Sequence, residues 1–356
     1  MTSRDIVHHR LINQGILSST FTEPEEVVRW MGCIQAQDFA GAKWAIGNRI
    51  KGITEAEIEN DFNEGKILRT HILRPTWHFV NPEDIHWMLK HTAPKIKALS
   101  KGLHRKLDID DAILKRSKKI ISKALQDGNQ LTRDEIQTFL KKGKINTDDI
   151  RLGFLIMDAE LDGIICSGKR QGKQFTYALL EERAPKVTSM DRDAAIAELG
   201  KRYFLSRGPA TVQDFAWWSG LTLTEAKQSI ELNKKHLAHE VVNGEAFWFS
   251  SNMPVKQKPA RSIHVLPPFD EYAVAYKGRT EILATKFIKK TGHGIFKPTI
   301  IMDGQIIGIW KRTEMKDNVH VEISPFISLS KVASRQIRTA VQSYASFTSK
   351  ALVETN

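Results

Sequence analysis

Leu131-Thr132-Arg133-Asp134-Glu135-Ile136 decides the reading of this 356-residue chain. Thr132 is spaced to cap a helix, with Glu135 three residues on to return a hydrogen bond to the cap, the capping-box signature. Upstream, residues 111–126 place Ile113, Ile120, Ile121, Ala124 and Leu125 on one face of an amphipathic helix that Gly128 ends. Downstream, a third helix over residues 150–162 leads into Gly163-Ile164-Ile165-Cys166-Ser167-Gly168, and residues 173–180 read as a returning strand.

The same order recurs later. Ile196, Leu199, Tyr203 and Phe204 mark a helix that stops at Gly208-Pro209, and Thr211-Val212-Gln213-Asp214-Phe215 opens the next. Thr224 is placed to cap a third helix running to about Lys235. Residues 237–242, the turn Asn243-Gly244 and residues 246–249 then form a hairpin. Three helices followed by a two-stranded ribbon is the winged-helix layout. Winged helices serve DNA binding, but also protein contact and purely structural roles.

Outside this repeat, Pro24-Glu25-Glu26 matches a first helical turn, and that helix is expected to carry Val27, Val28, Trp30, Met31 and Ile34. Thr54 caps another helix through Phe62, and residues 67–80 read as strand, turn and strand. Toward the C-terminus, β-like runs at 263–266, 299–302 and 306–310 include the turn Asp303-Gly304, and a helix over 330–347 closes the chain. The expected class is α+β and mostly helical, with tandem winged-helix domains and a C-terminal β-rich region. The expected domains are residues 1–105, 106–185, 186–255 and 256–356.

Composition narrows the function classes. Fifty-three Lys and Arg against forty-one Asp and Glu give a net charge of +12, which favours a polyanionic partner. Residues 90–123 alone hold eleven Lys or Arg against three Asp, although a solvated helix face reads equally well. No apolar run approaches the ~18 residues of a membrane span, and residues 1–20 lack a signal-peptide core. Cys33 and Cys166 form neither a disulfide framework nor a zinc spacing, so a cytoplasmic location is expected. Gly168 and Gly172 enclose three residues rather than four, and Gln174 stands where a magnesium-binding hydroxyl belongs, which excludes a phosphate-binding loop. No Ser-His-Asp order with a nucleophile elbow and no dinucleotide fingerprint occurs.

Gln35-Ala36-Gln37-Asp38 followed by Ala42-Lys43-Trp44-Ala45 resembles the bacterial winged-helix DNA glycosylases typified by AlkZ and YcaQ. Arg69-Thr70-His71, Leu73-Arg74-Pro75-Thr76-Trp77-His78, Leu266-Pro267-Pro268-Phe269-Asp270-Glu271-Tyr272 and Gly308-Ile309-Trp310-Lys311-Arg312 extend the resemblance over nearly the whole chain. The resemblance implies three tandem winged helices around a DNA-binding concavity and monofunctional excision of alkylated purines from double-stranded DNA. Some members unhook interstrand crosslinks. Neither metal nor cofactor is implied, nor an obligate protein partner or a membrane. Gln35 and Gln37 match the Gln-x-Gln motif of the AlkZ-like branch; Asp38 lies one place beyond the aspartate of the YcaQ-like Gln-x-Asp branch. By themselves the two glutamines read more simply as helix-end residues bonding backbone.

Candidate DNA contacts are Arg69, His71, Arg74 and His78 on the expected hairpin, and Lys169, Arg170 and Lys173 in the first wing. Against them, Trp77, His71 and Pro75 suit a packed core, and the wing suits a solvated turn. Asp270 and Glu271 read as structural, because neighbours in a strand face opposite ways. His8 and His9 lack a metal pattern. A non-catalytic winged-helix regulator is the alternative function, and a protein-interaction scaffold leaves the basic excess without a use.

Overall fold

The computed structural model describes residues 1–185, 189–253, 262–292 and 297–355. The expected boundary at 255/256 lies outside the described residues, and residue 186, which opens the third expected domain, does too. The chain starts with α1 (Ser3–Asn13), α2 (Pro24–Met31), β1 (Cys33–Gln35), α3 (Phe39–Gly47), α4 (Glu55–Glu64), β2 (Leu68–His71) and β3 (Trp77–Val80). Next come α5 (Ile85–Lys106), α6 (Asp111–Ala124), β4 (Leu131–Thr132), α7 (Arg133–Lys142), α8 (Arg151–Leu161), β5 (Ile165–Ser167), β6 (Thr176–Leu179) and α9 (Leu180–Arg183). Then follow α10 (Arg192–Arg207), α11 (Val212–Ser219), α12 (Leu223–Leu232), β7 (Leu237–Val242), β8 (Glu245–Ser250), β9 (Ile263–Leu266) and α13 (Glu271–Val274). The chain closes with α14 (Ile288–Thr291), β10 (Thr299–Met302), β11 (Gln305–Glu314), β12 (Asn318–Pro325), α15 (Lys331–Phe347) and β13 (Ala351–Thr355). The class is mixed α/β. Contacts divide the chain into two units, one from Met1–Glu59 with Ile196–Asn356 and one from Asn60–Ala195.

In the second unit the expected order holds. Thr132 Oγ1 accepts from the Glu135 N–H at 3.3 Å, and the Glu135 carboxylate accepts from the Thr132 N–H at 2.7 Å. That capping box starts α7, while Leu131 and Thr132 pair with Tyr177 and Thr176. β5 pairs antiparallel with β6 on the other side, giving a three-stranded sheet in the order β4-β6-β5. Ile121, Leu125, Ile136, Leu140, Leu155 and Ile165 form one core beneath it.

The 22-residue α5 was not anticipated. Pro94 and the density of lysines obscure its period, although Ala93 and Ile96 pack against Met157 and Leu161. Lys97 and Lys118 do not face solvent freely: Lys97 lies 3.3 Å from Asp158, Lys118 lies 2.9 Å from it, and both bind Asp162. Part of the basic run is therefore neutralised within the unit. No described helix is long and apolar enough to cross a membrane.

The first unit carries the second helix triplet and its hairpin. Thr211 caps α11 with Asp214, and Thr222, not Thr224, caps α12 with Glu225 in a second capping box. The Thr222–Glu225 spacing satisfies the box, which Thr224 cannot. Asn243 and Gly244 take φ of 52° and 84°, the left-handed pair that a two-residue hairpin between Val242 and Glu245 requires. Asp303 and Gly304, at 50° and 82°, repeat the device between β10 and β11. Ile34 departs from expectation: Gly32, at φ 72°, ends α2 and sends Ile34 into β1. The β-rich region is larger than the sequence implied, with strand order β13-β12-β11-β10-β9. β13 pairs parallel with β12 and has no turn signal before it.

α15 lays Ile337, Val341, Tyr344 and Phe347 inward. Trp44 meets Tyr344 and Phe347 at ring separations of 5.2 and 5.0 Å, and its indole N–H donates to the Val265 carbonyl at 2.8 Å. His264 on β9 is desolvated beside Arg49, which pulls its imidazole down to about 4. The folded form thus binds fewer protons than the unfolded form between about pH 6.5 and 4. Stability is fully present above pH 6.5 and falls through that window. Urea midpoints at successive pH values will show the loss, and His264→Gln will flatten it.

Candidate active site

The site is built on the connection from α2 through β1 to α3. Pro24 starts α2, and Val27, Val28 and Met31 bury its inner face. Cys33, Ile34 and Gln35 are buried in β1, with Gln35 8% exposed. Gln37 is exposed, and Asp38 follows as the cap of α3, accepting from the Gly41 N–H at 2.8 Å. The two glutamines are therefore not helix-end residues. One ends a buried strand and the other lies open in a strand-to-helix link.

A buried ion pair holds that strand. The Glu271 carboxylate accepts from the Gln35 backbone N–H at 3.0 Å through Oε1. Its Oε2 takes Arg207 Nη2 at 2.7 Å, Arg207 Nε at 3.0 Å and Trp218 Nε1 at 2.9 Å. Arg207 also donates to the Met31 carbonyl at 2.7 Å and the Cys33 carbonyl at 2.9 Å, and stacks 4.4 Å above Trp218. Backbone on either side of Gly32 and the amide of Gln35 are thus fixed by one guanidinium–carboxylate pair. Such pre-set geometry is what a positioning mechanism requires.

Asp270 and Glu271 are not strand neighbours. Asp270 caps α13 and Glu271 is its first residue, so the two carboxylates part and each takes its own arginine. Asp270 binds Arg49 with both oxygens, at 2.9 and 3.0 Å. Arg49 also donates to the carbonyls of Gln14 and Ala45, tying α1 to α3. On β11, Arg312 lies 3.6 Å from Asp38 and 3.4 Å from Glu314. Arg49, Arg207, Trp218 and Arg312 as site supports were missed in the sequence. Arg49, Arg207 and Trp218 stand in no local pattern that marks them; only Arg312 lay inside a quoted motif.

The remaining candidates lie in the second unit. Arg69 pairs with Phe79, Thr70 with His78 and His71 with Trp77 across the β2–β3 hairpin. Arg69 is buried between Trp77 and Phe175, 4.4 Å from each ring, and burial pulls its guanidinium down to about 10. His71 is buried with Nδ1 2.5 Å from Glu160, and His78 is buried with Nδ1 2.9 Å from the Thr76 carbonyl. Arg74 is half-buried. Lys169 and Lys173 are exposed, while Arg170 stacks 4.1 Å over Phe175. The hairpin set is thus mainly interior, and Lys169 and Lys173 extend into solvent. Cys166, whose burial pushes its thiol up to about 12, is no nucleophile.

Comparison with solved structures gives a likeness to Streptomyces sahachiroi DNA glycosylase AlkZ, with a TM-score of 0.82, 18% identity and 100% of both chains covered. That likeness concerns the fold. Curated protein sequences give no match. A family model described as DNA glycosylase AlkZ-like matches residues 28–347, from the helix before β1 to the end of α15. The chain belongs to the AlkZ-like DNA glycosylase family.

Proposed function

We propose that this chain is a monofunctional DNA glycosylase that hydrolyses the N-glycosidic bond of N-alkylated purines in duplex DNA. Interstrand crosslinks through alkylated purines belong to the same chemical class and are proposed as substrates too. The carrying observation is the Gln35–Gln37 link, one side chain buried and one open, with the Gln35 N–H held by Glu271 and the Cys33 carbonyl before it held by Arg207. A purine alkylated at N7 or N3 is already cationic, so the bond to C1′ is weakened before the enzyme acts. Gln35 and Gln37 then need only accept from an attacking water and face a positive sugar. No lysine or cysteine nucleophile enters this scheme, which makes it monofunctional. No metal or cofactor is assigned a step.

The two helix triplets with their ribbons, residues 106–185 and 186–255, are assigned as winged helices, with a third winged-helix-like domain over 1–105 and the sheet region over 256–356. Lys169 and Lys173, with Arg170 beside them, would meet the DNA backbone at the first wing. Arg69, His71 and His78 would support that surface from within, with Arg74 at its edge. The protein would work in the cytoplasm on DNA, without an obligate protein partner.

An amide cannot donate the proton that a neutral leaving purine needs. Free 7-methylguanine will therefore be released from duplex DNA, whereas unmodified guanine will leave at least about 10²–10⁴-fold more slowly. Chromatography of the released bases checks this. Equal release of both bases, or sequence-selective binding without any release, refutes the glycosylase reading and favours a regulator.

A further inference from the structure

The first unit has a second feature that the Gln35–Gln37 chemistry does not use. A cleft of about 1000 Å³ lies beside the C-terminal end of α3, lined by residues 47–53 and by one face of α15. Its charged lining has a single sign: Arg49, Lys51, Arg335 and Arg338, with no carboxylate among the described lining residues. Arg49 is neutralised by Asp270. Lys51 and Arg335 are exposed and form no ion pair with a described residue.

The rest of the wall adds a few hydrogen-bond donors. Gln342 and Ser346 follow Arg335 along the outer face of α15, opposite the buried Ile337, Val341 and Tyr344, while the Thr339 and Ser343 hydroxyls between them donate to the carbonyls of Arg335 and Thr339. Asn48 also lines the cleft, and its buried Nδ2 has no acceptor among the described residues. Like charges facing one concavity repel, and neutral donors beside them supply no compensation. An anion with several acceptor oxygens answers both needs.

DNA is the polyanion this family acts on, and distance sets the register. Asp38 and Asn48 bracket α3, and ten residues of helical rise separate them by about 15 Å. A duplex rises about 3.4 Å per base pair, so the cleft is about four base pairs from the Gln-x-Gln link for a duplex whose axis is parallel to the largely buried α3. We propose that this cleft seats the phosphodiester backbone of the duplex about four base pairs from the damaged nucleotide. The register rests on the glycosylase reading above; binding of the backbone does not.

The test is the salt dependence of binding to a long undamaged duplex, compared between the parent protein and Lys51→Ala/Arg335→Ala. Two lost phosphate contacts will lower the slope of log affinity against log salt by about 1.8, with a roughly tenfold to hundredfold loss of affinity at about 0.1 M salt. Lys286→Ala/Lys289→Ala removes equal charge from exposed positions outside the cleft and will leave the slope unchanged. Because undamaged DNA is used, a slope change here together with no release of 7-methylguanine from a methylated duplex would retain the cleft while refuting the glycosylase reading. Register is then read with duplexes shortened around a non-hydrolysable 7-methylguanine nucleotide. The effect of Lys51→Ala/Arg335→Ala will vanish once one arm is shorter than about three base pairs. Equal slopes for the parent and Lys51→Ala/Arg335→Ala, or equal losses in both variant pairs, would overturn the proposal.

Discussion

Glu271→Ala will destabilise the protein by about 3–5 kcal/mol, the cost of leaving a buried arginine without its counter-charge. Arg207 and Glu271 are 0% and 1% exposed at their side chains, so water cannot replace the lost carboxylate. Four donors converge on Glu271, and one of them is the backbone of Gln35 itself. Glu271→Gln keeps the shape but gives up the charge and presents one amide nitrogen to groups that are all donors. Its cost will be smaller, about 1.5–3 kcal/mol. Combining Glu271→Gln with Arg207→Met will cost less than the sum of the single changes, because the orphaned charge goes with the arginine. Urea unfolding of the parent, Glu271→Ala, Glu271→Gln, Arg207→Met and the double variant reads these differences. At temperatures where Glu271→Gln remains folded, its single-turnover rate will fall while duplex affinity holds, since the loss falls on the placement of Gln35 rather than on DNA contact. A Glu271→Ala protein within about 1 kcal/mol of the parent would show that the pair does not secure β1.

The parts legible from sequence are those governed by local rules. Thr132 with Glu135, Asn243 with Gly244 and Asp303 with Gly304 each satisfy a constraint within four residues, and each lies where the pattern placed it. The elements missed depend on distant partners. β13 is a strand because β12 supplies a parallel edge, and α5 is a continuous helix because α8 covers its apolar face despite Pro94. Thr222 took the cap assigned to Thr224 because Glu225 stands three residues after it.

The candidate site divides in the same way. Gln35 and Gln37 could be named only through their motif, since an x-Gln-x-Gln run has many bland readings. What fixes them could not be named, because Glu271 lies 236 residues from Gln35 and 64 from Arg207. Asp270-Glu271 was assigned a structural role for a geometric reason that does not apply, since the pair opens a helical turn rather than continuing a strand. Its two arginines nevertheless give it that role. The basic residues of the hairpin show the same dependence on distant partners: Arg69 and His71 are buried because aromatic rings and a carboxylate wait for them, as Trp77, Phe175 and Glu160 do.

Substituting either motif glutamine carries the second large effect. An amide poised to orient water and face a developing oxocarbenium acts mainly in the transition state, and removal of one such group costs about 10²–10³ in rate. Gln37 is exposed and caps nothing, so Gln37→Ala will melt with the parent; Gln35 is 8% exposed, and Gln35→Ala needs its folded fraction checked first. The most direct measurement is single-turnover release of 7-methylguanine from a labelled duplex by the parent, Gln35→Ala and Gln37→Ala. Rapid release by the parent, a fall of about 10²–10³ in each variant and unchanged duplex affinity is the expected result. Release by either folded variant at the parental rate, or none by the parent, would contradict catalysis by the Gln-x-Gln link.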